Sequence, residues 1–291
     1  MNKTISIISI ILLSVITLVV TGFFIYLMSG NSFNWNFNFN KYSDNLIESN
    51  AYDDVYEINV DSKNSDILVE KNEDAKIVVE LYTDSKNNEH KIEINNNNLF
   101  VNFNDKETLN FLKRTNKVLI KIPEKYENKL NIKSTVGDIK IGSFENLSPN
   151  INAGTGDVKA ELLNELTVEL TTGDVKINKL NKIECKKSVG DVKIETVKDA
   201  IVHSQTGDVK INEVTNSLDI TLTTGDVKIN TATINEDSSI NSTTGDIKIG
   251  TYSGAYVEVN NSVGDTRVNG NDRKSDKTLT ITNRIGDIKI N

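Results

Sequence analysis

Nine times between residues 137 and 287 the chain reads Gly-Asp. The aspartates are Asp138, Asp157, Asp174, Asp191, Asp208, Asp226, Asp246, Asp265 and Asp287, at spacings of 17 to 22 residues. Aligned on the aspartate, the units form columns. One residue after it stand Ile139, Val158, Val175, Val192, Val209, Val227, Ile247, Thr266 and Ile288. Three after it the column is Ile or Val except at Ala160, and six before it is aliphatic except at Cys185. Two before it is a β-branched residue in every unit. Apolar and polar positions alternate on both flanks, which predicts strands with one buried face. The Gly-Asp between them is a corner, since glycine supplies backbone freedom and aspartate can bond to neighbouring amides.

A unit of this size cannot bury its apolar face alone, so equivalent units must stack. Identical columns require each residue to sit over its equivalent in the next unit. The expected fold is therefore all-β: a parallel β-solenoid of nine Gly-Asp coils rising ~4.8 Å per coil. Residues 134–291 form these repeats. Residues 51–133 alternate without the repeat and are expected to form a β-rich N-terminal cap and first coils, with Glu107–Arg114 as a candidate short helix. The sequence stops within the unit of Gly286-Asp287, so that C-terminal coil is expected to be open, with self-association as one way to cover it.

The N-terminus differs. Residues 5–28 carry no charge and are mostly Ile, Leu, Val and Phe. At ~1.5 Å per residue such a helix crosses a ~30 Å hydrocarbon core. The run is longer than a signal-peptide core and ends in a poor cleavage site, so an uncleaved anchor is favoured. Lys3 and the terminal amine place residues 1–4 in the cytoplasm by the positive-inside bias. The expected location is a single-pass cell-membrane protein with its C-terminal domain extracytoplasmic. Residues 29–50, in which Asn alternates with aromatics, read as a linker.

Charge bounds the partners. Asp and Glu number 41 against 33 Lys and Arg, for a net charge of −8, which excludes a nucleic-acid role resting on a basic face. One cysteine, Cys185, excludes a disulfide framework and a multi-Cys zinc site. No Walker loop, nucleophile elbow or dinucleotide fingerprint appears, so no enzyme activity, cofactor or metal is expected. Two residues after each aspartate stands Lys or Arg. Same-parity positions share a face, so a row of acids runs beside a row of bases. In the plain reading these rows cap turns and neutralise one another, with Gly173-Asp174, Gly190-Asp191, Gly207-Asp208 and Gly225-Asp226 as structural turns. In the functional reading Lys176, Lys193, Lys210 and Lys228 form a ladder that docks a periodic polymer such as a wall glycan or teichoic acid. A calcium roll needs a richer glycine repeat than this.

The lead-in Val118-Leu119-Ile120-Lys121-Ile122-Pro123, then Leu130-Asn131-Ile132-Lys133-Ser134-Thr135-Val136-Gly137-Asp138-Ile139-Lys140-Ile141, and the coils that follow resemble the bacterial putative-adhesin family of β-strand-repeat domains, a domain of unknown function. The resemblance covers roughly residues 51–291. It implies a right-handed parallel β-helix on the cell envelope, and membership alongside proteins of Lia-type envelope-stress operons. It transfers no catalytic residue. The favoured function is a non-enzymatic, membrane-anchored module acting as an adhesin-like interaction or structural element, with a cell-wall polymer or envelope protein as partner. Two other readings stay open: an accessory regulator of an envelope-stress response, and a polysaccharide-active β-helix enzyme. The uniform columns and short loops argue against the enzyme.

Overall fold

The computed structural model describes residues 43–105, 116–269 and 275–291. The anchor at 5–28, the stretch up to residue 42 and the candidate helix lie outside the described residues. Every regular element among the described residues is a strand. The first is β1 (Leu46–Tyr52), which begins inside the stretch read as linker. It is followed by β2 (Glu57–Asn64), β3 (Asp66–Asn72), β4 (Ile77–Tyr82), β5 (Asn88–Asn95), β6 (Asn98–Asp105) and β7 (Lys117–Pro123). The repeats open with β8 (Lys129–Val136), β9 (Ile139–Ser143) and β10 (Asn150–Thr155). Four long strands, β11 (Val158–Thr172), β12 (Val175–Val189), β13 (Val192–Thr206) and β14 (Val209–Thr224), each take up nearly a whole coil. The chain closes with β15 (Val227–Thr233), β16 (Ser238–Thr244), β17 (Ile247–Ser253), β18 (Tyr256–Val263), β19 (Thr266–Val268), β20 (Thr278–Ile285) and β21 (Ile288–Ile290).

The repeats are a parallel β-solenoid in column register. Val158 pairs with Val175, Lys159 with Lys176, Leu163 with Leu180 and Val168 with Cys185. The same columns continue through Val192, Lys193, Val197 and Val202. In β12 the inward side chains are Val175, Ile177, Leu180, Ile183, Cys185 and Lys187. Steps of two keep a side chain on one face of a strand. The two steps of three, and the step of five from Lys187 to Val192, mark where the coil bends. Extra residues in the longer units fall at the middle bends, for example between β15 and β16 and between β19 and β20. Burying each Val or Ile of the columns is worth ~1.5–3 kcal/mol, offset by the entropy of ordering the chain.

The β-branched column two before each aspartate is not part of that buried face. Val136, Val189, Val263 and Ile285 are exposed. The parity slips one step before the glycine, as the strand leaves the wall to enter the corner. The third inward position of this segment is instead four before the aspartate, where polar residues are mixed with apolar ones. Ser134, Lys187, Ser204, Ser242 and Asn283 are buried there beside Leu170 and Leu222.

At both ends the chain departs from simple winding. β2 pairs with β6 on one side and β8 on the other, and β3 lies likewise between β7 and β9. The first coil is thus covered by a later one. Beyond it, β5 runs antiparallel to β6, β4 to β7 and β1 to β4. The other end repeats the device. β20 pairs with both β16 and β18, and β21 with both β17 and β19. The unit of Gly286-Asp287, expected at the open end, is therefore an internal coil, and among the described residues the outermost coil is β18–β19. The chain passes over one position and then returns to fill it.

Candidate functional site: the Gly-Asp ladder

Each corner glycine lies at positive φ, 140° at Gly156 and 142° at Gly173, a region that side-chain-bearing residues rarely adopt. Space forbids a side chain as well. A Cβ on Gly173 would stand 2.0 Å from the carbonyl oxygen of Gly156. The backbones of successive corners therefore pack directly on one another.

The aspartates satisfy the donor that this turn displaces from the ladder. The N–H of Asp174 donates to Asp157 Oδ1 at 3.0 Å, that of Asp191 to Asp174 at 2.9 Å, that of Asp208 to Asp191 at 2.9 Å and that of Asp226 to Asp208 at 3.0 Å. The column starts before the first Gly-Asp, where Asp66, preceded by Ser65, accepts from Asp138 N–H at 2.7 Å. It ends with Asp287 N–H on Asp246 and Asp265 N–H on Asp287, both 2.9 Å. Burial opposes charge on Asp157, but the Asp174 N–H and Lys159 outweigh it and hold the carboxyl below its ordinary value. The Asp226 N–H and Lys210 do the same for Asp208.

The bases line up beside this column. Lys176, Lys193, Lys210 and Lys228 are cross-strand neighbours in consecutive coils and all are exposed. Lys176 Nζ lies 3.5 Å from Asp174 Oδ2, and Lys210 Nζ 2.9 Å from Asp208 Oδ2. Lys193 turns instead to Glu195 at 3.0 Å. An exposed pair contributes ~0.2–1 kcal/mol, whereas a hydrogen bond to a charged group contributes ~1.5–3 kcal/mol. The amide–carboxylate bonds thus hold the corner, and the lysines are its adjustable outer layer. Glu161 and Glu195 stand in the next column outward. Carboxylates slightly outnumber bases on this face, so it offers both signs of charge.

Beneath the corner lies a polar row that apolar–polar alternation alone does not reveal. Lys187 Nζ donates to Gly173 O at 2.9 Å and to Asp191 O at 3.0 Å. Asn283 Nδ2 reaches Gly245 O, and Asn261 Nδ2 reaches Gly286 O, both at 3.1 Å. In each case the residue four before an aspartate caps the glycine carbonyl of the preceding coil from within. The available signal is that this column, unlike the aliphatic one two residues earlier, is mostly polar: Ser134, Lys187, Ser204, Ser242, Asn261 and Asn283 outnumber Ala153, Leu170 and Leu222. Cys185 neighbours Lys187 on this wall, and burial pushes its thiol up to about 12.

On the face before the corner a shallow groove of about 490 Å³ runs across the coils between Glu169, Lys186 and His203 on one bank and Ser188 and Gln205 on the other. Among the described residues no group of three or more His, Cys, Asp or Glu is arranged to hold a metal ion.

Stacked corners, a carboxylate–amide column and a flanking basic row define a class of protein, the register-locked β-solenoid. Residues 55–181 and 163–291 each match Toastrack DUF4097, and the chain belongs to that family of unknown function. No curated protein matches it. Among solved structures it is similar to a putative lipid binding protein from Parabacteroides distasonis, with 14% identity over 84% of this chain and 98% of that one and a TM-score of 0.48. It is also similar to a putative adhesin from Bacteroides fragilis, with 20% identity over 86% and 98% and a TM-score of 0.47. A putative cell adhesion protein from Clostridium sporogenes shows 15% identity over 84% and 98%, with a TM-score of 0.27.

Proposed function

We propose that the chain is a non-enzymatic envelope-binding module, held at the membrane through residues 5–28, whose Asp/Lys ladder docks a repeating envelope polymer bearing charged groups. The observation that supports this is the row itself. Lys176, Lys193, Lys210 and Lys228 stand in unbroken register on consecutive coils, so charge is displayed at a fixed interval of ~4.8 Å. A rigid periodic surface suits a periodic ligand, because each further repeat adds a contact at little extra ordering cost. The mixed signs on this face favour a polymer with both acidic and basic substituents over a purely anionic one.

The test is retention of the full chain, in detergent, on purified wall fractions from the producing cell. Changing Lys176, Lys193, Lys210 and Lys228 together to Gln should abolish retention while the β-sheet circular dichroism stays intact. Retention of the parent should weaken with salt, since screening shortens electrostatic reach to ~8 Å at physiological ionic strength. A variant that binds as well as the parent would reduce the ladder to scaffold.

A further inference from the structure

The two ends of the solenoid are finished differently. At the N-terminal end antiparallel strands cover the wall, and the outlying β5 carries exposed Glu89, Lys91 and Glu93, the charged pattern that blunts a sheet edge. At the other end β18 pairs only with β20, and β19 only with β21, among the described residues. Within the stack each glycine N–H, and each N–H after an aspartate, donates to the next coil, as Gly286 does to Val263 O and Ile288 to Asp265 O, both at 2.9 Å. The outermost coil has no next coil among the described residues. Its Gly264 and Thr266 N–H groups and the Asp265 carboxylate therefore face outward along the axis. The core is also less covered here. Val259 and Val268 are only half-buried, and Val263 is 61% exposed.

We propose that this coil, residues 256–268, is the interface for a second copy of the same chain, joined end to end about a two-fold axis. The argument is self-complementarity. Two amide donors and one carboxylate acceptor sit together at the corner, with the exposed guanidinium of Arg267 beside them. A two-fold axis sets the carboxylate of each copy against the donors and the arginine of the other, as an isologous contact requires. The half-buried valines supply the apolar centre. The blunted N-terminal end offers no matching edge, so the association closes at a dimer.

The test is the mass of the full chain in detergent micelles, by sedimentation or light scattering, across a concentration series. The parent should show a reversible dimer. Val263→Lys and Asp265→Ala should each raise the dissociation constant at least about tenfold, with an unchanged thermal melt at concentrations where the parent is monomeric. Val189→Lys, in the same exposed column but in mid-stack, should leave it unaltered. Asp265 is the terminal acceptor of its column, so its removal spares the internal ladder and keeps the test valid should Val263→Lys misfold. A monomeric parent, or a dimer indifferent to both end-coil changes, would overturn the proposal.

Discussion

At Lys187 an ionisable side chain, 5% exposed, stands in a column that elsewhere holds Leu170 and Leu222. Burial chiefly drives its pKa down, and the nearby Asp174, Asp191 and Asp157 only partly oppose this. A Lys with a lowered folded pKa is charged at a cost that persists below that value. Between it and the unfolded value of ~10.4 the unfolded chain binds more protons, so stability rises with pH. The aspartates act at the acid end. Asp157 and Asp208 are held below their ordinary range, so their stabilisation is present above ~3.9 and is lost as pH falls through the folded values. A buried charge carries a desolvation cost that a well-packed aliphatic side chain does not. Lys187→Leu should therefore match or exceed the parent in melting temperature at pH 7, lose the alkaline rise and keep the acid fall. Lys187→Ala should melt lower, because it leaves a void. A sharply lower melt for Lys187→Leu would mean that the bonds to Gly173 O and Asp191 O outweigh desolvation.

Among the elements, β20 and β21 set the sharpest test of topology. They are the last strands in sequence, yet each has a neighbour on both sides. Amide exchange tracks local opening, so in the dissociated monomer residues 278–290 should exchange as slowly as mid-stack coils and residues 256–268 faster. The reverse order would place the coils in simple succession. This placement also marks the limit of what the sequence reveals. The buried columns at Val175, Ile177, Leu180 and Cys185 are legible because period-two alternation reports which side chains face inward. The same alternation is silent on which coil lies beside which, since one coil matches any other. The order left a weaker trace. Thr266 is the only polar residue in its column, and it sits in the coil that has only one neighbour among the described residues. The exposed Val189 shows a related ambiguity. β-branching suits the extended backbone entering the corner whether or not the side chain is covered. Asp66 lacks the Gly-Asp signature because Ser65 stands where every later unit has glycine.

For the whole molecule, the decisive question is the side of the membrane on which the solenoid works. Residues 5–28 are uncharged, Lys3 precedes them, and the next charge is Lys41. With the basic side retained in the cytoplasm, residues 42–291, a compact unit in themselves, would stand outside. Protease is a poor probe of this, because a chain bonded along continuous ladders resists cleavage except in its loops. Thiol labelling is better suited. The native Cys185 is fully buried and its thiol is pushed up to about 12, so it is protonated at neutral pH and contributes no background. Lys198 lies at an exposed position away from both the ladder and the end coil. A Lys198→Cys variant in intact protoplasts should therefore react fully with a membrane-impermeant maleimide, with no further gain on lysis, while the parent stays unlabelled. Labelling only after lysis would put the solenoid in the cytoplasm and remove wall polymers from its reach, whatever its surface can bind in a purified fraction.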